Sequence, residues 1–372
     1  MLASSSGVIK ELPSMTVSQR EQFLVLNDVV FRIYSDFDAC DIATQKFTYN
    51  RLFLIYKQLD YLTNGLRQRG PSLSSLDANR PWLCYWIIHS IALLGESVDD
   101  DLESNTIDFL GRCQLAHLGT SYAAVNTLVT LGIDKALSSI DRWVLDVGEM
   151  DVRACYLAIS IASILNIVDD EITRGGIGGE PGSEAHAGNT YCGLATMALI
   201  TEVDRLNLDS LMDWVVHQQG VEMGFHGRTN KLVDGCYTFW QVNLLFLFVS
   251  FIRLFMCFHE YRSSHEENAH DEDDLEDSDD DDSDENSNEG LLLPFSYHLR
   301  VRPVFDSLNL QRYVILCSMV LEGGLRNKPG KPRDFYHTGY CLSGLSVAQH
   351  AWSKDKDTPM NGDILGSYAN HL

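Results

Sequence analysis

Apolar residues recur at intervals of three and four from Thr16 to Gln68, behind a capping-type TVSQ opening, and this spacing predicts helix over 16–68. Pro71 to Asn79 breaks the pattern. A different rhythm begins at Arg80: RPWLCYWIIHSIALLG, then TSYAAVNTLVTLG, VRACYLAISIASILN, TYCGLATMALI, DGCYTFWQ and HTGYCLSGLSVAQ. Each unit sets a Tyr or Trp among small residues ahead of an apolar helical run. Small residues let helices approach closely, so these units read as the packed inner helices of a repeat array. Aligned on the aromatic, they place Tyr122, Tyr156, Tyr191, Tyr237 and Tyr340 in register, at steps of 34, 35, 46 and 103. The most apolar stretch, Leu244 to Phe258, is 15 residues long with Arg253 inside it. It is too short and too charged for a membrane span and is expected to be a buried helix.

Charge changes the picture in one place. The 372 residues carry 28 Lys and Arg against 52 Asp and Glu, a formal −24, and 15 of the acids lie between Glu266 and Glu289. That run repels itself and cannot pack, so it is expected to be a disordered insert, with Ser278 and Ser283 as candidate phosphoacceptors. The remainder carries only −9 and no basic face, which argues against a nucleic-acid surface. The resulting division is a helical segment at 1–79, a first array at 80–265, the insert at 266–289 and a last repeat at 290–372. Nine Cys with no C-x-x-C, and an N-terminus without the apolar run of a signal peptide, point to a reducing, cytoplasmic compartment.

Candidate chemistry concentrates in Gly227 to Gln241, GRTNKLVDGCYTFWQ. Asp234 and Cys236 are two residues apart, a step of about 200° on a helix, so they can share an ion only off a regular helix. Gly235 between them, and a helix from Tyr237 onward, place the pair at a helix N-terminus, where the dipole favours thiolate. The plainer alternative is a capping Asp followed by a buried Cys. A second stretch, Lys328 to His350, reads KPGKPRDFYHTGYCLSGLSVAQH. VDDDLES (Val98 to Ser104) carries Asp99, Asp100 and Glu103 at the spacing of a metal clamp, but no partner motif follows it and a solvated helix end is expected.

Taken together, DGCY and DFYHT resemble the β subunits of protein farnesyltransferases, of the plant type where these include an acidic insert. The resemblance implies an all-α fold, an α/α barrel of prenyltransferase repeats. It implies transfer of a farnesyl group from farnesyl diphosphate to the Cys of C-terminal C-a-a-X sequences, in a heterodimer with an α subunit that adds a Lys to the diphosphate site. Asp234, Cys236 and His337 would hold one zinc ion, leaving a fourth position for the substrate thiol. The diphosphate site maps onto His186, Gly188, Arg228, Lys231 and Tyr237, with Lys328, Lys331 and Arg333 nearby in a positive pocket. Trp82, Arg153, Tyr156, Cys192, Trp240 and Tyr340 match isoprenoid positions, and Trp82, Trp86 and Tyr336 match peptide contacts. Bulky Trp82 and Tyr340 favour a 15-carbon donor.

Several departures accompany the resemblance. Ala187 and Asn189 stand where the family has Gly and Tyr beside the diphosphate. Asn327 stands where farnesyl enzymes use an Asp for magnesium, so magnesium dependence is expected to be weakened, a neutral amide being a poorer ligand for a hard cation. Gly339, beside His337, is expected to loosen its helix. The Gly-rich turns survive at Gly175–Gly182, Met223–Gly227 and Gly323–Gly330, but outer helices are expected to be missing in up to three places, after Gln114, Ile140 and Thr173, and the chain ends soon after its last repeat. Such a shortened, exon-skipped form exposes the backs of inner helices at about 25 cal/mol per Å². Two alternatives follow: a catalytically impaired isoform, or a helical-repeat binding module.

Overall fold

The structure, a computed structural model, describes residues 17–52, 54–67, 79–114, 118–140, 156, 185–203, 206, 208–228, 231–247 and 305–350. The acidic run with Ser278 and Ser283, Arg153, the Gly175–Gly182 turn, the segments after Ile140 and Thr173, and the chain after His350 lie outside the described residues.

The N-terminal helical pattern resolves into three helices, α1 (Val17–Asp38), α2 (Ile42–Leu52) and α3 (Ile55–Arg67). Asp41 starts α2 by accepting from Thr44 N at 2.8 Å, the side-chain cap that ends one helix and begins the next. Next come α4 (Arg80–Leu93), α5 (Asp100–Gly111), α6 (Leu118–Leu131) and a one-turn α7 (Asp134–Ser138). Asp99 caps α5 by accepting from Leu102 N at 3.0 Å and pairs with Arg67, while Asp100 and Glu103 fill the first turn. That arrangement is a charged helix start, as the sequence reading expected. Further along are α8 (Ala187–Leu199), α9 (Leu208–Val216), α10 (237–247), α11 (Ser307–Tyr313) running into a π-helical turn Val314–Ser318, and α12 (Phe335–His350). A short hairpin pairs β1 (Leu325–Arg326) with β2 (Arg333–Asp334).

Packing closes a ring. α4 lies between α6 and α12, so the first and last inner helices are neighbours. The close approach requires glycine at Gly344, whereas at Gly339 an added Cβ would make only ordinary contact. A Cβ on Gly339 would stand 3.4 Å from Trp86 Cβ, and one on Gly344 would stand 2.6 Å from the backbone N of Phe239. Gly339 lies where α12 faces α4, and α12 runs continuously through it.

Buried side chains follow the same circuit. Leu62, Ile87, Ile91 and Phe335 join α3, α4 and α12. Ile107, Leu110, Ala124, Leu128 and Ala136 join α5, α6 and α7. Leu194, Val215, Leu244, Leu245, Leu310 and Ala348 join α8 to α12. Leu26, Val30 and Tyr49 pack with Tyr313, Ile315, Leu325 and Leu342, so the two ends of the described chain share a core. Tyr34 reinforces this seam: its hydroxyl donates to Glu222 O at 2.8 Å, and the Arg312 guanidinium lies 4.5 Å from its ring centre while pairing with Asp38 at 2.6 Å. Leu244 and Leu245 of the apolar stretch are buried and helical as expected; the stretch beyond 247 lies outside the described residues. Among the described residues no helix is long and apolar enough to cross a membrane.

Hydrogen bonding shows an internal repeat more sharply than the aromatic spacing does. Gly220 N donates to Gly224 O and Met223 N to Gly220 O; Val320 N donates to Gly324 O and Gly323 N to Val320 O. Bridges follow at Gln219–Phe225 and His226–Val233 in one copy, and at Met319–Leu325 and Arg326–Arg333 in the other. The two copies are thus 100 residues apart, pairing Asp234 with Asp334, Tyr237 with His337 and Trp240 with Tyr340. Alignment on the aromatic instead sets Tyr340 against Tyr237, at a step of 103. Tyr340 lies one turn along the same helix face from His337, the counterpart of Tyr237, and residues three apart share a face.

Candidate metal centre and aromatic cavity

Two loops meet at helix starts. Asp234, Gly235 and Cys236 lead into α10, and Asp334 precedes α12, so the side chains of Asp234, Cys236 and His337 converge. Each offers one ligand atom, and these atoms all lie within 4.8 Å of one another. The Asp-x-Cys step is off the helix, as the sequence geometry requires: Cys236 N donates to Asp234 Oδ1 at 2.9 Å, and Tyr237 opens the helix. Gly235 has no room for a side chain, because a Cβ there would stand 2.6 Å from Cys341 Sγ and 2.9 Å from Ser318 Oγ.

Asp334 has two tasks. Its Oδ1 accepts from His337 N at 2.7 Å, capping α12, and its Oδ2 lies 2.6 Å from His337 Nδ1. With the Nδ1–H donated to that carboxylate, the lone pair of neutral His337 is on Nε2, which faces Asp234 Oδ1 at 3.3 Å. Sequence reasoning did not single out Asp334; the signal was a carboxylate three residues before a helical His, the spacing of a cap that can also reach the ring.

Without an ion the charges are arranged for protons. Burial works against a charged imidazole, but the Asp234 and Asp334 carboxylates outweigh it and lift His337 to about 9. Burial raises the Asp234 carboxyl, yet its hydrogen bond to His337 wins and the pKa falls below the ordinary value. Burial, then the Asp234 charge, push the Cys236 thiol well above its usual range. In the metal-free chain burial and the neighbouring carboxylate therefore outweigh the helix-terminus effect expected to favour thiolate. A carboxylate, a thiol and an imidazole with its far nitrogen anchored form the donor set of a transition-metal site of the three-ligand kind.

Beside this cluster lies a cavity of about 630 Å³. Its wall is an unbroken circuit of rings. Trp86 meets Tyr336 at 5.4 Å between centres, and Tyr336 meets Tyr340 at 4.6 Å. Tyr340 meets Trp240 at 4.9 Å, and Trp240 meets Tyr191 at 5.4 Å. Tyr191 meets Tyr156 at 5.6 Å, and Tyr156 meets Tyr122 at 5.9 Å. Tyr122 meets Trp82 at 5.8 Å, and Trp82 returns to Trp86 at 5.7 Å. Tyr237 and Tyr336 line the cavity and directly adjoin Cys236 and His337, so the cluster sits at its wall.

The structure brings most of the sequence-selected residues together here. Trp82, Trp86, Tyr156, His186, Gly188, Cys192, Tyr237, Trp240, Tyr336 and Tyr340 all line the cavity. Tyr85, Tyr122, Tyr191 and Phe239 line it too and were not selected as site residues, although Tyr122 and Tyr191 stood in the aligned series. Gly188 N donates to His186 Nδ1 at 3.1 Å, which leaves the proton of neutral His186 on Nε2, 3.1 Å from the Tyr237 hydroxyl oxygen. Tyr237 thus accepts from His186 and keeps its own proton to give. Burial is the main reason its pKa is pushed up to about 12, with Arg228 acting the other way. Gly227 lies flat against the Tyr237 ring, where a Cβ would collide with it. Arg228 is exposed, and Lys231 N closes the turn by donating to Arg228 O at 3.3 Å. Lys328 Nζ donates to Val233 O at 3.4 Å, and burial lowers its pKa. Arg333 turns away from the cavity, its guanidinium 4.4 Å from the Tyr61 ring centre.

Comparison with known proteins agrees with this arrangement. The sequence profile described as "Prenyltransferase alpha-alpha toroid domain" matches residues 53–366. The chain is 60% identical to the protein farnesyltransferase subunit beta of Arabidopsis thaliana, over 98% of this chain and 87% of that protein. It is 44% identical to the protein farnesyltransferase subunit beta of Pisum sativum, over 97% of this chain and 93% of that protein. The A. thaliana match runs over 425 aligned positions, more than the 372 residues here, so that relative carries residues without a counterpart in this chain. Among solved structures, Candida albicans protein geranylgeranyltransferase-I complexed with GGPP superposes with a TM-score of 0.55. At 18% identity, over 80% of this chain and 92% of that one, this likeness concerns the fold alone.

Proposed function

Because the chain belongs to the protein farnesyltransferase β-subunit family, a family of α/α-toroid prenyltransferase enzymes, we propose that it transfers a farnesyl group from farnesyl diphosphate to the Cys of C-terminal C-a-a-X sequences. It would do so with one zinc ion on Asp234, Cys236 and His337, paired with an α subunit in the cytoplasm. The observation that carries this reading is the closed ring of aromatics with a three-donor cluster at its wall.

A bound zinc ion supplies Lewis acidity, which lowers the pKa of a coordinated thiol toward neutrality. The chain's own residues do the rest. Asp334 holds His337 with Nε2 presented to the cluster. The ring circuit buries an isoprenoid chain and excludes water from the reacting carbon, and bulky Trp82 and Tyr340 limit its length. As the carbon–oxygen bond of the diphosphate breaks, negative charge grows on the leaving group. Tyr237 can donate its proton there because His186 has already supplied the hydrogen bond that the phenol oxygen accepts. Arg228 and Lys231 on the adjoining turn add positive charge, and His186 and Gly188 place the N-terminus of α8 at the same spot. Trp86 and Tyr336 remain as a wall for the acceptor peptide.

One observation favours an impaired form: the residues present in the A. thaliana protein but absent here, together with Asn189 and Asn327. A helical-repeat module without chemistry would not call for three converging donors of this kind. Single-turnover transfer of labelled farnesyl from its diphosphate to a C-a-a-X peptide, with the chain co-expressed with an α subunit, decides the matter. Thioether product in the first turnover is expected; no product at saturating peptide and metal overturns an active assignment.

A further inference from the structure

Asn327 touches the metal-binding loop twice. Gly235 N donates to its backbone carbonyl at 2.7 Å, and its Nδ2 donates to Asp234 Oδ2 at 3.1 Å. The other Asp234 oxygen, Oδ1, accepts from Cys236 N at 2.9 Å and faces His337 Nε2 at 3.3 Å. The two oxygens therefore have different surroundings: Oδ1 is turned to the donor cluster and Oδ2 is held by the amide. The reversed amide would set Asn327 Oδ1 against Asp234 Oδ2, acceptor on acceptor, so the donor assignment follows from the partner. Asn327 Oδ1 is buried and has no hydrogen-bond partner among the described residues, which leaves the Nδ2 donor as the bonded end of the side chain.

We propose that Asn327 is a positioning residue for the divalent-ion site, its amide fixing the Asp234 carboxylate so that Oδ1 alone is presented to the ion. This rests on the functional reading above, in which Asp234, Cys236 and His337 hold that ion. Losing the amide frees the carboxylate to rotate and removes a partner that orients a ligand, a change that costs about 10–100-fold in metal affinity.

The test is a cobalt(II) titration of the full-length, metal-stripped chain, followed by absorption. Two variants remove the amide: Asn327→Ala, and Asn327→Leu, which keeps roughly the same shape and packing. Both retain the Gly235-to-327 backbone bond, so thermal unfolding of the metal-free proteins should stay close to the parent. The expected result is cobalt bound about 10–100-fold more weakly by both, with altered visible d–d bands. The sulfur-to-cobalt charge-transfer band per bound ion should be unchanged, because Cys236 is untouched. Parent affinity and parent d–d bands in both variants overturn the proposal. Should Asn327→Ala fail to fold, the same two readouts on Asn327→Leu decide. If the parent chain itself binds no cobalt, the functional reading falls and this inference with it, an outcome distinct from failure in the variants alone.

Discussion

Replacing Gly235 by Ala tests whether the geometry of the two-loop junction, rather than the mere presence of three donors, makes the metal centre. The added Cβ would stand 2.6 Å from Cys341 Sγ, 2.9 Å from Ser318 Oγ and 3.2 Å from the Arg326 carbonyl oxygen. None of these is the loose end of a long side chain. Cys341 is fully buried inside α12, Ser318 is fully buried in the π-helical turn, and Arg326 O belongs to β1. The loop must therefore retreat by roughly half an ångström or more to restore ordinary contact, an overpacking cost of about 1–3 kcal/mol. Ligand distances tolerate only about ±0.2 Å, so the same displacement carries Asp234 and Cys236 out of register with His337. The expected outcome is a fall in melting temperature on the order of 2–6 °C and a loss of cobalt(II) affinity of about tenfold or more. Gly111→Ala is the matched control, since a Cβ there meets only Ser139 Cβ, at 3.9 Å, and α5 gains a better helix former. Gly235→Ala with parent melting temperature and parent affinity would refute the argument, because the loop would then have slack that the packing denies.

Further predictions address proton linkage, backbone strain and the leaving group. His337 has a folded pKa raised from 6.5 to about 9, so its stabilising contribution to the metal-free protein is complete below about pH 6.5 and is lost as pH rises through 9. Denaturant unfolding should show the metal-free chain weaker at pH 9.5 than at 6.5 by up to about 3 kcal/mol, and added cobalt(II) should reverse the trend because it takes the neutral imidazole. Met223 has φ +72° where its counterpart 100 residues later is Gly323 at φ +87°. Met223→Gly should relieve about 1 kcal/mol of left-handed strain, and an unchanged or lowered melting temperature would contradict it. Tyr237→Phe removes the phenol proton while keeping the ring, so the single-turnover rate should drop about 10²-fold with isoprenoid diphosphate affinity within a few-fold of the parent. An unaltered rate would take Tyr237 out of the leaving-group role.

The sequence by itself determined what could be read locally. Periodicities of three and four found the helices, because an amphipathic helix writes its buried face into the chain. The two-residue Asp-x-Cys step, with glycine between, already required a loop ahead of a helix. The resemblance of DGCY and DFYHT gave the family and, with it, the three donors. The tertiary structure decided whatever depends on distances between residues far apart in the chain. It closed the aromatic circuit by seating α12 against α4, although the relative from A. thaliana carries residues that this chain lacks. It set the repeat at 100 residues, not 103, because backbone turns and bridges fix a register that ring spacing on one helix face leaves ambiguous by a turn. And it gave Asp334 and Asn327 their tasks, since a hydrogen bond across 93 residues between Asn327 and Asp234 leaves no periodic trace in the order of the amino acids.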